Sequence, residues 1–164
     1  MGKRIQRILQ ILLTLLLVGI LVCNLYTIVQ RSKGIAQPTV FGFSGAVVLS
    51  GSMQPSIPLD AYIVTKAQKT YAKGDVISFE AGNHTTTHRI VQVLPEGFQT
   101  KGDANGESAD KEIVKKEKVV GKVVLVIPKI GRVFEFFSTP LGICLLVLVA
   151  FGILYIPTLV KKKT

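Results

Sequence analysis

The stretch from residue 34 to residue 138 contains no cysteine. It can therefore hold no disulfide, no thiol nucleophile and no cysteine zinc site, so any chemistry there falls to other side chains. Histidine is scarce too: His84 and His88 are the only two in the chain. Charge is missing from two runs, Ile8–Val29 and Leu141–Val160, and these hold the two cysteines, Cys23 and Cys144. Internal repeats, low-complexity tracts and a DNA-binding helix pair are also absent. The formal net charge of +10 is not a nucleic-acid footprint. All ten acidic residues lie between Gly34 and Ser138 with twelve Lys and Arg, which leaves that segment near +2 and the rest of the charge on the flanks. The densest basic run, KEIVKKEKVVGK, is diluted by glutamates and reads as a solvated strand edge.

What is present at the ends is membrane-like. A helix over the 22 residues of Ile8–Val29 would be about 33 Å long, enough to cross a bilayer core. A cleaved signal peptide would have a shorter apolar region and a small-residue cleavage site, whereas Gln30 and Arg31 follow here. Leu141–Val160 is a second span by length, with Pro157 expected to kink or end its last turn. Lys3, Arg4 and Arg7 precede the first run and Lys161–Lys163 follow the second, so both termini are expected in the cytoplasm; Arg31 and Lys33 oppose this weakly. The expected organisation is a cytoplasmic N-terminus (1–7), a transmembrane helix (8–29), an extracytoplasmic domain (30–140), a second transmembrane helix (141–160) and a cytoplasmic tail (161–164). Within the domain, the aromatic-rich 128–140 is expected at the membrane interface.

The middle segment is long enough for one domain with a small core. Its apolar residues come in short β-branched runs: AVVL at 46–49, YIV at 62–64, DVISF at 75–79, HRIVQVL at 88–94 and VVGKVVLVI at 119–127. Gly, Pro, Asn and Asp separate them. The pattern predicts a mainly β domain held between two transmembrane α-helices.

Two serines stand one residue apart in Ser50-Gly51-Ser52, just before Met53, Gln54 and Pro55. As composition this is a turn, with hydroxyls that bond nearby backbone. A serine nucleophile needs a base and a group to orient that base. His88 opens a strand-like run, which fixes its direction; His84, beside Asn83, reads as a solvated turn residue. Asp103 and Asp110, both in the loop GDANGESAD, could orient the base or simply form turns.

Taken together, Ser50–Pro55, KGDVISF at 73–79, Thr87-His88-Arg89-Ile90 and Lys101-Gly102-Asp103-Ala104-Asn105 with Asp110 resemble the type I signal peptidases. The likeness is to the branch found in the endoplasmic reticulum, archaea and sporulating Gram-positive bacteria, and it covers roughly 46–127. It implies a β catalytic fold at the membrane that removes signal peptides from exported preproteins after small residues. It also implies Ser52 as nucleophile and His88 as base, where the common bacterial enzymes have a lysine, with Asp103 or Asp110 orienting the histidine. The Ser52 N–H and the Ser50 hydroxyl would stabilise the oxyanion, Gly51 would let the loop turn, and Met53 and Pro55 would border the substrate groove. No metal or cofactor is needed. Ala104 departs from the family's usual asparagine. Preproteins and the lipid bilayer are the implied partners, and nucleic acid is not. Two further readings stay open: a Ser-Lys membrane peptidase using Lys66, Lys73 or Lys101, and a membrane-anchored β module that binds exported proteins without cleaving them. A self-cleaving repressor shares a similar serine motif but not the apolar runs.

Overall fold

The computed structural model describes residues 2–35 and 37–161; the lysines at 162 and 163, part of the basic C-terminal flank, lie outside them. The chain divides into two units, Gln30–Phe134 on one hand and Met1–Val29 with Glu135–Thr164 on the other.

The second of these is helical. α1 is Gly2–Ser32, and its Arg7–Ser32 portion is long and apolar enough to cross a membrane, with none of its apolar window buried in the protein. A short helix, α2 (Gly131–Phe137), precedes α3 (Pro140–Lys161). α2 and Pro140–Ile153 meet the same test only when taken together across a bend. α3 runs through Pro157 instead of ending there, because the missing N–H costs one backbone bond close to the helix end.

Gln30–Phe134 carries one antiparallel sheet of six strands: β1 (Phe43–Val47), β2 (Tyr62–Lys66), β3 (Val76–Ala81), β4 (His84–Leu94), β5 (Gly97–Lys101) and β6 (Val119–Ile127). Their order is β1-β2-β6-β3-β4-β5, and every neighbouring pair is antiparallel. The expected β-rich domain is therefore present, with three local corrections. The run KEIVKKEKVVGK is not one continuous strand edge: Val114 bridges Phe98 of the terminal β5, a 3₁₀ turn follows at Lys116–Lys118, and the last four residues open β6, a central strand. β5 had no counterpart among the predicted runs, since its glycine and polar residues hide a strand whose Phe98 and Thr100 are both buried. β4 starts at His84 rather than at His88, because the turn between it and β3 is confined to Gly82 and Asn83.

The core has two parts. One packs Ile77, Phe79, Ile90, Phe98 and Val114 beneath the strand that carries His88. The other packs Met53, Ile57, Ala61 and Ile63 beneath the serine loop. Met53 is only 2% exposed, so the residue that follows Ser52 is a core anchor. The base of this loop is pinched shut by Val48 N–H to the Ala61 carbonyl (2.9 Å) and Asp60 N–H to the Val48 carbonyl (3.0 Å). Asp60 also accepts from Gly131 N–H (3.0 Å) and, through Oδ1, from Arg132 N–H (2.9 Å). A Cβ on Gly131 would come within 2.9 Å of the Asp60 carbonyl and 2.6 Å of Val47 Cγ1, so only glycine fits there without movement.

Burying a methionine side chain contributes about 2–3 kcal/mol, and truncating it leaves a cavity as well. Met53→Ala is therefore expected to lower unfolding free energy by about 2–4 kcal/mol in chemical denaturation. Gln54→Ala, at the exposed neighbour, should cost less than about 0.5 kcal/mol.

Candidate active site

The serine loop leaves β1 and turns twice before β2. Gln54 N–H bonds to the Gly51 carbonyl (3.0 Å) and Ile57 N–H to the Met53 carbonyl (2.8 Å). These turns sink Met53 and Ile57 into the core and carry Gln54, Pro55 and Ser56 to the surface. Ser52 is half-buried; its Oγ lies 3.2 Å from the exposed Ser50 Oγ. Gly51 does not need to be glycine for space, since a Cβ there would meet only Gln54 side-chain atoms at 3.6 Å or more.

His88 sits in the middle of β4, opposite Ile77 of β3, and is 8% exposed. The Phe79 ring meets it edge-on at 6.3 Å. His88 Nδ1 is 2.6 Å from Asp110 Oδ2, which also accepts the Thr100 hydroxyl at 2.7 Å. An ionised carboxylate only accepts hydrogen bonds, so the imidazole carries its proton on Nδ1 and leaves the Nε2 lone pair free. Backbone holds Asp110 in place: its N–H bonds to the Thr100 carbonyl at 2.8 Å.

The other aspartate is engaged elsewhere. Asp103 grips Arg89 in a two-pronged ion pair, Nε to Oδ1 at 2.9 Å and Nη2 to Oδ2 at 2.6 Å. Arg89 also donates to the Gly74 carbonyl (2.9 Å) and reaches Ser56 Oγ at 3.4 Å. The bonds from Arg89 hold the Asp103 carboxyl below the usual range, outweighing burial, which would raise it; Arg89 is raised in turn by the same bonds. The loop that carries Asp103 touches the serine directly, because Ala104 N–H bonds to the Ser52 carbonyl at 2.8 Å. Gly102 permits that approach: a Cβ on it would stand 2.7 Å from both the Ser52 carbonyl oxygen and Asn105 Nδ2.

Ser50, Ser52, Met53, His88, His84 and Asn105 open on one groove of about 520 Å³. One wall is Ala46–Leu49; the other is His84–His88, the first half of β4. Three strands separate β1 from β4 in the sheet order, so the sheet curls to bring them to one cavity. Both walls present strand edges that the sheet leaves unpaired: β1 is terminal, and β5 pairs with β4 only from Arg89 onward. Of the sequence candidates, Ser50, Ser52, Met53 and His88 line the groove, and Asp110 stands behind His88. Asp103 is on Arg89, and Pro55 is outside the lining because the loop turns it outward. Lys66, Lys73 and Lys101 do not line it either; the Lys66 ammonium lies over the Phe43 ring, 5.3 Å from its centre. The contacts of Arg89, a motif residue, and of Thr100, which adjoins one, emerged only from the structure.

Acid titration tests the Asp103 ion pair. A carboxyl held low in the folded state stabilises above its unfolded pKa, and that contribution fades as pH falls through the folded value. Asp75 acts with the same sign: burial raises it, but bonds from Lys122 and the Ala72 N–H pull it lower on balance. Stability should therefore fall below about pH 4. Asp103→Asn should cost about 1–2 kcal/mol at pH 7 and flatten that acid slope in denaturant titrations, with Asp75 accounting for what slope remains.

No family model matches the chain. The chain is similar to signal peptidase I W of Bacillus subtilis (strain 168), 40% identical over 125 residues, which is 71% of this chain and 63% of that relative. It thus spans less than two thirds of the relative's length. With a Ser-Gly-Ser-Met turn, a strand histidine and an antiparallel sheet in one domain, and identity at this level over most of its length, the chain belongs to the type I signal peptidases of the sporulating Gram-positive branch.

Proposed function

We propose that this chain is a membrane-bound serine endopeptidase that removes signal peptides from exported preproteins, with Ser52 as nucleophile, His88 as general base and Asp110 orienting the histidine. The carrying observation is that Ser52 and His88 open on the same groove while Asp110 holds the far nitrogen of the imidazole. In the proposed reaction His88 Nε2 takes the Ser52 proton as Oγ attacks the scissile carbonyl. The tetrahedral intermediate collapses to an ester on Ser52, and His88 gives the proton to the departing amine. A water then loses a proton to His88, attacks the ester and frees the enzyme. The Ser52 N–H and the Ser50 hydroxyl, 3.2 Å from the Ser52 hydroxyl, would receive the oxyanion. Asp103 acts at one remove, by holding Arg89 and the loop that supports Ser52.

The groove suits an extended substrate. Its two unpaired strand edges could each hydrogen-bond a peptide laid between them. Removal after small residues is consistent with Met53 and Ile63 closing the groove from beneath.

The same proposal has two spans, the N-terminal helix and α3, with both termini cytoplasmic and the β domain outside. Its lipid contact is supported by an apolar rim at the pinched base of the serine loop. Leu49 is 78% exposed there, and Leu59, Val133 and Phe134 are exposed as well. The Val48–Asp60 and Asp60–Gly131 bonds gather these segments together. Solvent-exposed leucine beside a groove is unfavourable in water and favourable in a head-group layer.

The test is cleavage of a labelled preprotein in reconstituted membranes. Ser52→Ala and His88→Ala should each lose at least about 10³-fold in rate, and Asp110→Asn about 10²–10⁴-fold, with the protein still folded. Ser50→Ala should lose about 10–10²-fold in kcat. Asp103→Asn should lose less than Asp110→Asn. Full activity in Ser52→Ala would refute the proposal, and equal activity of wild type and Asp110→Asn would remove Asp110 from it.

A further inference from the structure

His84 is the one groove-lining imidazole that the proposed chemistry leaves without a task. It is the first residue of β4, paired opposite Ala81 of β3, and its side chain is exposed. Side chains alternate along a strand, so His84, Thr86 and His88 share one face. At about 3.3 Å per residue, His84 stands about 13 Å along the groove from His88.

The direction of the groove follows from the sheet. Four antiparallel steps, β1 to β2 to β6 to β3 to β4, make β1 and β4 run the same way. β1 leads toward Ser52 as the numbering rises, and the first half of β4 leads toward His88. The walls Ala46–Leu49 and His84–Thr87 therefore both lie on one side of the reacting pair. A strand bound between them would place residues from a single side of the scissile bond along these walls.

We infer that His84, with the Thr86 hydroxyl beside it, forms a subsite for an oxygen-bearing side chain of the substrate, about four residues from the scissile bond. The inference rests on the peptidase reading. The two walls differ in chemistry: Ala46–Leu49 is wholly apolar, whereas the face of β4 that carries His84 offers an imidazole and the Thr86 hydroxyl, the Thr87 hydroxyl being bonded to Ser78 at 2.8 Å. The lining holds no Asp, Glu, Lys or Arg among the described residues. A bound strand covers the polar wall. An Asn, Asp, Gln or Ser side chain facing His84 keeps its N–H paired, whereas a leucine there buries that group without a partner. Sites built to hydrogen-bond a substrate reject the analogue that cannot reciprocate.

Peptides derived from one cleavable precursor, carrying Asn or Leu at each position three to five residues on either side of the scissile bond, test this with the full-length enzyme in detergent or vesicles. Wild type should favour Asn over Leu in kcat/KM by about 5–10-fold at one of these positions, on one side only. His84→Ala should erase that preference at that position, and His84→Gln, which keeps a donor, should retain part of it. An equal Asn-to-Leu ratio in wild type, or an unchanged ratio in His84→Ala, would overturn the subsite while leaving the protease assignment standing. Cleavage that survives Ser52→Ala would overturn that assignment, and the subsite with it.

Discussion

The bond from the Ala104 N–H to the Ser52 carbonyl, 2.8 Å long, ties the serine loop to the segment 102–110. That segment also reaches β4 twice, through Asp103 on Arg89 and Asp110 on His88. Ser52 and His88 come from distant parts of the chain, and a single short loop bonds to the backbone of one and the side chain of the other. A deep core would make such a fastening less necessary. Here the serine side is anchored by Met53 and the histidine side by Ile90 and Phe79, in two separate clusters. The loop is the polar link between the elements that rest on them.

The two aspartates show how neighbours divide chemically identical groups. Asp103 meets a guanidinium whose fork matches its two oxygens, so it serves as a fixed counter-charge. Asp110 meets an imidazole nitrogen and a hydroxyl on one oxygen, which suits it to setting a tautomer. Adjacent residues of β4 take the two aspartates. His88 and Arg89 point to opposite faces of the strand, so the loop must wrap the strand to reach both.

The β character and the apolar ends were legible in the sequence, because short β-branched runs and long uncharged ones each have few physical outcomes. The serine loop was legible as a motif. Which aspartate meets His88 was not: both lie in one loop of turn-forming residues, and the choice depends on how that loop folds across β4. β5 is hidden in the sequence because Thr100 is buried for its hydroxyl's bond to Asp110, and burial of that kind leaves no hydrophobic trace. His84 was misread as a turn residue for a related reason: HTTTH lacks the apolar alternation of an ordinary half-buried strand, since this half of β4 faces a groove. Where the sequence pattern departs from core logic, the residues either line the groove, as His84 does, or brace a partner of a lining residue, as Thr100 does through Asp110.

Asp110 is expected to fix His88 with its proton on Nδ1, leaving the Nε2 lone pair free. Nitrogen-15 NMR of labelled His88, recorded above its titration range, reads that tautomer directly. The Nδ1–H form is expected in the wild type and in Asp103→Asn, and its loss or mixing in Asp110→Asn. A wild-type imidazole protonated on Nε2, or a tautomer indifferent to Asp110, would contradict this role for Asp110.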